Sequence, residues 1–235
     1  MSENHKSLQY RKVWGRRQSR PLKTTQKEAM EKLFPQLLIP LGLKESELIP
    51  PSTLYPERKS AYALEIGFGG GEHLLTQAKH HPDWGYIGCE PFINGVANLV
   101  TDIQAEKIQN IRIVKDDARL LLSRLPNQSI TQVFILFADP WPKKRHHKRR
   151  IIQSETIANI ARILIPDGIL HIATDDPGYL EWILNVMANA PDFKLDLQGR
   201  RDIFEHPNDW PKTRYEEKAL RQGRLPGYMR YLKIS

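Results

Sequence analysis

The chain has 235 residues, 40% hydrophobic and 26% charged, with a formal net charge of +8 and a single cysteine, Cys89. This is the composition of a globular protein and not of a disordered or fibrous one. One cysteine excludes an internal disulfide or a multi-cysteine zinc site, and the longest apolar run, Val133 to Ala138, is far too short for a membrane span. The first thirty residues are polar and basic and lack the apolar stretch of a secretory signal, so a reducing cytoplasm is the expected location.

The positive charge is unevenly placed. Residues 1–27 hold eight Lys/Arg against one acid, residues 143–150 six against none, and residues 212–233 seven against two, which leaves the rest of the chain net acidic. Basic clusters on an acidic body are the electrostatic footprint of a polyanion-binding protein.

Taken in order, residues 1–60 read as a basic arm, a short helix and an extended connection, and residues 61–235 as the folded domain. The arm runs to about Lys23. Thr25 and Glu28 stand in capping-box spacing before Ala29, Met30, Leu33 and Phe34, which predicts a short helix ended by Pro35. Five prolines between 35 and 60 then predict an extended connection. From Ala61 the pattern alternates. Strands are predicted over 61–66, 84–89, 111–114, 131–138 and 169–173. Helices are predicted over 72–80, along Val96, Leu99, Val100 and Ile103, around 119–122, and over 151–164 and 177–190. A turn at Pro166-Asp167-Gly168 separates the helix of 151–164 from the last of these strands. The tail adds two further strands around a helix at 213–222, making seven strands. Strands separated by helices imply crossovers, hence a doubly wound α/β fold with a mostly parallel sheet covered on both faces.

In such sheets ligands bind at the carboxyl ends of the strands, so the residues that end each strand carry the functional argument. The first strand ends in Glu65-Ile66-Gly67-Phe68-Gly69-Gly70-Gly71-Glu72. Glu72 occupies the third glycine position of a dinucleotide fingerprint, and an anion beside the helix N-terminus opposes a pyrophosphate. The pattern suits a nucleoside cofactor without phosphates, with S-adenosylmethionine the obvious candidate. Glu65 would face its ammonium and the loop amides, with Gly67 and Gly69 in the turn, its carboxylate. The second strand ends at Glu90, 19 residues beyond Gly71, where an acid can accept two bonds from ribose hydroxyls. The third ends in Asp116-Asp117, where a carboxylate can accept from an adenine amino group. Cys89 reads as packing beside the sheet.

The fourth strand ends in Phe137-Ala138-Asp139-Pro140-Trp141-Pro142, followed by Lys143, Lys144, Arg145, His146, His147, Lys148, Arg149 and Arg150. An acid and an aromatic ring at the cofactor crevice, with a phosphate-binding run beside them, is the order expected of an enzyme that modifies a nucleic-acid base. His146 and His147 lie inside a cationic cluster with no partners of metal-ligand type, so no metal is expected.

On these motifs, with Ala173-Thr174-Asp175 and Thr213-Arg214-Tyr215-Glu216, the chain resembles the bacterial tRNA (guanine-N7)-methyltransferases of the Rossmann-like class I, S-adenosylmethionine-dependent fold. The resemblance covers roughly residues 60–235. Its glycine turn is shared by all class I methyltransferases, whereas the Asp139 to His146 string and the late Thr-Arg-Tyr-Glu are far more specific. Family members often carry a different residue in place of Gly70. The resemblance implies cofactor contacts at Glu65, Glu90, Asp117 and Asp139, and tRNA or guanine contacts at Lys143, Asp175, Thr213, Arg214, Tyr215 and Glu216. It also supplies the target, N7 of a guanine in the tRNA variable loop.

Guanine N7 offers a lone pair, so methyl transfer to it needs no general base; Asp139 is then expected to be central through charge and positioning, with Asp175 and Glu216 on the base edge. The run from Lys144 to Arg150 is expected to grip phosphates. Partners beyond tRNA, whether membrane or another protein, are not called for. The alternatives are an amino-methyltransferase acting on adenine N6 or cytosine N4, whose fourth strand ends in an acid-Pro-Pro-aromatic string where this chain has Asp139-Pro140-Trp141-Pro142, and a non-catalytic RNA-binding module. The intact acids at the strand ends argue against the second.

Overall fold

A computed structural model describes residues 17–41, 47–207, 210 and 214–234, with Arg214 and Tyr215 described by their backbone alone. Seven strands form one sheet: β1 (Tyr62–Ile66), β2 (Gly85–Cys89), β3 (Ile111–Val114), β4 (Ile130–Leu136), β5 (Leu164–Thr174), β6 (Phe193–Leu195) and β7 (Gly227–Lys233). Their order is β3-β2-β1-β4-β5-β7-β6. The first five are parallel, while β7 runs antiparallel to both β5 and β6. After β1 the chain winds outward to β2 and β3, then returns to place β4 on the other side of β1. The loops that follow β1 and β4 therefore diverge, and the carboxyl ends of these two strands border a crevice.

Two-residue periodicity explains how one sheet supports two cores. Leu64, Ile87, Val133, Ile135 and Ile172 point to one face, where Ile157 and Ile160 of α6 (Ser154–Ile163), Tyr179 and Ile183 of α7 (Pro177–Ala188) and Leu121 of α5 (Ala118–Leu122) close over them. Ala63, Tyr86 and Phe134 point to the other, packed by Leu74 of α3 (Glu72–His80) and by Val96, Leu99, Val100 and Ile103 of α4 (Ile93–Glu106). The last helix, α8 (Arg214–Arg221), precedes β7.

Four local expectations are revised. The first helix, α1 (Thr24–Lys32), is capped two residues earlier than Thr25 and Glu28 suggest: the Lys23 amide donates to Gln26 Oε1 at 2.9 Å. Pro35 does not end the helical segment but lies in the first turn of a second short helix, α2 (Phe34–Leu37), where its missing N–H is not needed. The connection that follows is not simply extended. Leu38 makes a parallel bridge to Ile113 at the β3 edge, the Ile39 amide donates to Ile113 O at 2.8 Å, and Tyr55 Oη donates to Tyr86 O at 2.8 Å. Buried Phe34, Leu37, Ile39 and Tyr55 explain this, since apolar side chains spaced between prolines still seek cover. Finally, the turn at Pro166-Asp167-Gly168 is an irregularity inside β5, with the register passing from Ile130↔Leu164 to Gln132↔Ile169 and Asp167 at φ +60°. Helix α6 accordingly stops at Ile163.

The start of β3 is tied to the preceding helix by one buried side chain. Asn110 Nδ2 lies 3.0 Å from Ala78 O, 3.2 Å from His81 O and 3.0 Å from Trp84 O, collecting carbonyls from the end of α3 and the turn into β2. Asn110→Ala removes the donor shared by these carbonyls and leaves the buried Ala78 carbonyl without it, so urea unfolding should show a stability loss of about 1–3 kcal/mol.

Candidate active site

The crevice between the ends of β1 and β4 holds a cleft of about 450 Å³ whose walls include Glu65, Gly67, Gly69, Glu90, Asp117 and Asp139. The six residues predicted to contact a cofactor are thus brought to one place. Gly67, Gly69 and Gly71 all adopt left-handed backbone, with φ of +76°, +56° and +88°. Those conformations let the turn double back into α3. Their amides are engaged inside the protein: Gly67 donates to Cys89 O, Gly71 to Phe68 O, and Gly69 to Glu90 Oε2. The expectation that the turn amides receive a ligand carboxylate does not hold for these three.

Glu90 explains the packing around it. Besides Gly69, its Oε1 accepts from the Phe92 amide at 2.9 Å, so one carboxylate ties the glycine turn to the start of α4. Close approach is required here, because a Cβ on Gly95 would lie 2.0 Å from Gly69 O. Burial raises the Glu90 carboxyl above its ordinary value, the two amide bonds oppose that shift, and the negative charges of Asp139 and Glu65 add to it. A cationic ligand in this cleft relieves the repulsion. Glu65 is buried, and its Oε2 lies 2.7 Å from Nδ1 of the buried His73 on α3. His73 was not anticipated, although its place one residue after Glu72 put it at the turn. Cys89 is buried, its thiol pushed well above the usual range by desolvation, in keeping with a packing role.

Asp117 caps α5, its Oδ1 accepting from the Arg119 amide at 3.0 Å and its Oδ2 from Arg119 Nη1 at 2.9 Å. Each oxygen retains a further lone pair, and Asp117 lines the cleft. Arg119, also unanticipated, extends its other nitrogen to the carbonyls of Arg149 and Arg150. Asp139 follows β4 in a segment bracketed by two non-glycine residues in left-handed conformation, Phe137 (φ +53°) and Trp141 (φ +42°). Strain of that kind persists only where surrounding contacts enforce it. Asp139 remains open to solvent at the cleft mouth, yet the protein mass around it raises its carboxyl above the ordinary Asp range.

The basic run after Trp141 forms a short 3-10 helix, Lys144–Arg149. Lys143, Lys144, Arg145 and Lys148 are exposed, whereas His146, His147 and Arg149 are half-buried. Arg149 and Trp141 line the cleft together, the guanidinium 5.0 Å from the ring centroid. Arg150 departs from expectation, being buried and withdrawn from the surface. Asp175 and Glu216 lie outside the cleft wall but beside it, across the edge-to-face contact of Phe137 with Tyr228 at 6.5 Å. Asp175 pairs with Arg224 at 2.8 Å, and Glu216, buried on α8, meets His206 at 3.2 Å and the Tyr228 hydroxyl. Thr213 and residues 1–16 lie outside the described residues, as do the side chains of Arg214 and Tyr215. Among the described residues no group of three His, Cys, Asp or Glu is arranged to hold a metal ion, and no helix is long and apolar enough to cross a membrane.

A doubly wound sheet with a glycine turn and acids at the ends of β1, β2, β3 and β4 defines a class I methyltransferase. Solved structures of that fold agree: a 16S rRNA methyltransferase, KamB, superposes with a TM-score of 0.55 at 14% identity, over 75% of this chain and 89% of its own. A protein-family profile described as putative methyltransferase matches residues 59–226. The tRNA (guanine-N(7)-)-methyltransferase of Rhodospirillum rubrum is 43% identical over 93% of this chain and 86% of its own length. That of Chelativorans sp. strain BNC1 is 40% identical over the whole of both. The chain belongs to the tRNA (guanine-N7)-methyltransferases, a family of S-adenosylmethionine-dependent enzymes.

The residues present fit that cofactor. The cleft has the size of a small-molecule site, its acids suit a cationic nucleoside, and Ile66, Phe68, Leu136 and Phe137 supply apolar wall. Glu90→Gln keeps the size of the side chain but turns an N–H toward an amide that needs an acceptor and removes a negative charge. Calorimetry should show S-adenosylmethionine affinity reduced about 10- to 100-fold, the range for losing a charged hydrogen bond.

Proposed function

We propose that this chain methylates N7 of a guanine in the variable loop of tRNA, in the cytoplasm, with Asp139 as the central catalytic residue. The observation that carries this reading is the position of Asp139, where the acid-lined cleft meets the basic segment that follows it. S-adenosylmethionine, when bound, supplies an electrophilic methyl on a sulfonium centre. Glu65 and Glu90 hold its amino-acid and ribose ends, and Asp117, fixed by Arg119, accepts from its adenine.

The rest of the work falls to positioning. Guanine N7 presents a lone pair and loses no proton, so alignment, not general-base chemistry, supplies the rate, an effect that can reach about 7–11 kcal/mol. The ionised Asp139 favours the positive charge that develops on the purine, or accepts from its N–H edge. Asp175 and Glu216 take up the N1 and N2 hydrogens of guanine by exchanging their present partners, Arg224 and His206. Thr213, Arg214 and Tyr215 immediately precede Glu216 and complete this wall. Lys143 lies closest in sequence to the cleft, and Lys144, Arg145 and Lys148 point cations at the RNA backbone, with His146, His147 and Arg149 behind them.

Three results test the reading. Asp139→Ala should abolish methyl transfer while leaving the fold intact; in the wild type, because the Asp139 carboxyl is raised, activity should fall as pH drops through a value above the ordinary Asp pKa of about 3.9. Turnover by the alanine variant, with nucleoside mass spectrometry identifying the methylated atom, decides the matter. Converting Lys144, Arg145 and Lys148 together to Ala should raise the tRNA KM and flatten its dependence on salt, by roughly two to three in the log–log slope.

A further inference from the structure

Arg150 ends the basic run and by position belongs with the phosphate ligands, yet its surroundings are those of an internal brace. The residue is 3% exposed. Its guanidinium lies over two aromatic rings, 5.1 Å from the centroid of Tyr179 and 4.9 Å from that of Trp182, both on α7. Its Nε donates to the Pro140 carbonyl at 2.7 Å. No phosphate can reach a cation so enclosed without dismantling α7.

The bonded carbonyl belongs to the residue after Asp139. Pro140 and Pro142 have no N–H, and Phe137 and Trp141 hold left-handed backbone, so the segment 137–142 has few local means of fixing its own path. Arg150 supplies a fixed point from outside. Its backbone is fixed in turn: Arg119 Nη2 reaches the carbonyls of Arg149 and Arg150 at 3.2 and 3.4 Å, while Arg119 Nη1 holds Asp117 at 2.9 Å. A continuous chain of contacts therefore runs from the acid at the end of β3 to the segment that carries Asp139.

We infer that Arg150 is a positioning residue that sets the path of the Asp139 segment through the Pro140 carbonyl, with Arg119 as its anchor, and that it takes no part in gripping phosphate. The inference rests on Asp139 acting at the reacting base. It requires the flat, forked guanidinium: a lysine keeps the charge but cannot lie over two rings while donating from a fixed plane.

The test uses the full chain with unmodified tRNA and saturating S-adenosylmethionine, comparing Arg150→Lys and Arg150→Met. Both variants should lose about 10- to 100-fold in kcat, the scale of an ångström-sized misplacement. The tRNA KM and its salt slope should stay within twofold of wild type, and calorimetric S-adenosylmethionine binding should show that the fold is kept. A phosphate ligand behaves in the opposite way: Arg150→Lys near wild-type kcat, or a raised KM with a flatter salt slope in Arg150→Met, overturns the inference. Should both variants fail to bind the cofactor, Arg119→Gln replaces them, with kcat expected to drop several-fold at unchanged tRNA KM; wild-type kcat there overturns it equally. Asp139→Asn retaining full turnover would instead bring down the reading of Asp139 itself, a result that involves no change at residue 150.

Discussion

Carboxylates gathered around one cleft repel one another, and that repulsion organises the rest of the site. Glu65, Glu90, Asp117 and Asp139 stay in place because each is held from the protein side or left open to water: Glu90 by two backbone amides, Glu65 by His73, Asp117 by the α5 terminus and Arg119, Asp139 by exposure at the mouth. Burial still raises the Glu90 and Asp139 carboxyls. A cleft in that condition favours a cation and disfavours the pyrophosphate that the same sheet binds in dinucleotide enzymes.

A tRNA brings the opposite charge, so the protein must attract a polyanion to the edge of an anionic cleft. It does so by segregation. Lys143, Lys144, Arg145 and Lys148 follow the Asp139 segment and are exposed, while the acids line the crevice. Trp141 and Arg149 mark the seam, stacked on one another and lining the cleft. A second seam lies past Phe137 and Tyr228, where Asp175 and Glu216 are already paired with Arg224 and His206. Those pairs orient the acids, and Arg224 remains partly exposed.

Much of this was legible in the chain. The alternation of strands and helices was readable because each strand is a short apolar run and each helix carries its own apolar stripe, as in Val96, Leu99, Val100 and Ile103. The acids at the strand ends stood out because an ionisable residue beside an apolar run and a glycine turn is chemically conspicuous. What escaped notice were the supports: His73 behind Glu65, Arg119 behind Asp117, and the engagement of the Gly67, Gly69 and Gly71 amides. A supporting residue has no signature of its own, since its partner is chosen by the packing of distant segments. Similarly, the prolines between 35 and 60 point to an extended connection, but whether Phe34, Leu37, Ile39 and Tyr55 find cover depends on the sheet being there to receive them.

Arg150 shows where the division falls. The sequence by itself determined that a dense cationic run follows an acid at the end of the most apolar strand, because charge and hydrophobic pattern are local properties read residue by residue. Only the tertiary structure decided which of those cations face water, because that depends on α7 placing Tyr179 and Trp182 against one guanidinium and leaving Lys143, Lys144, Arg145 and Lys148 outside. Electrostatic composition is additive along a chain, whereas burial is a property of neighbours that the chain meets only after folding.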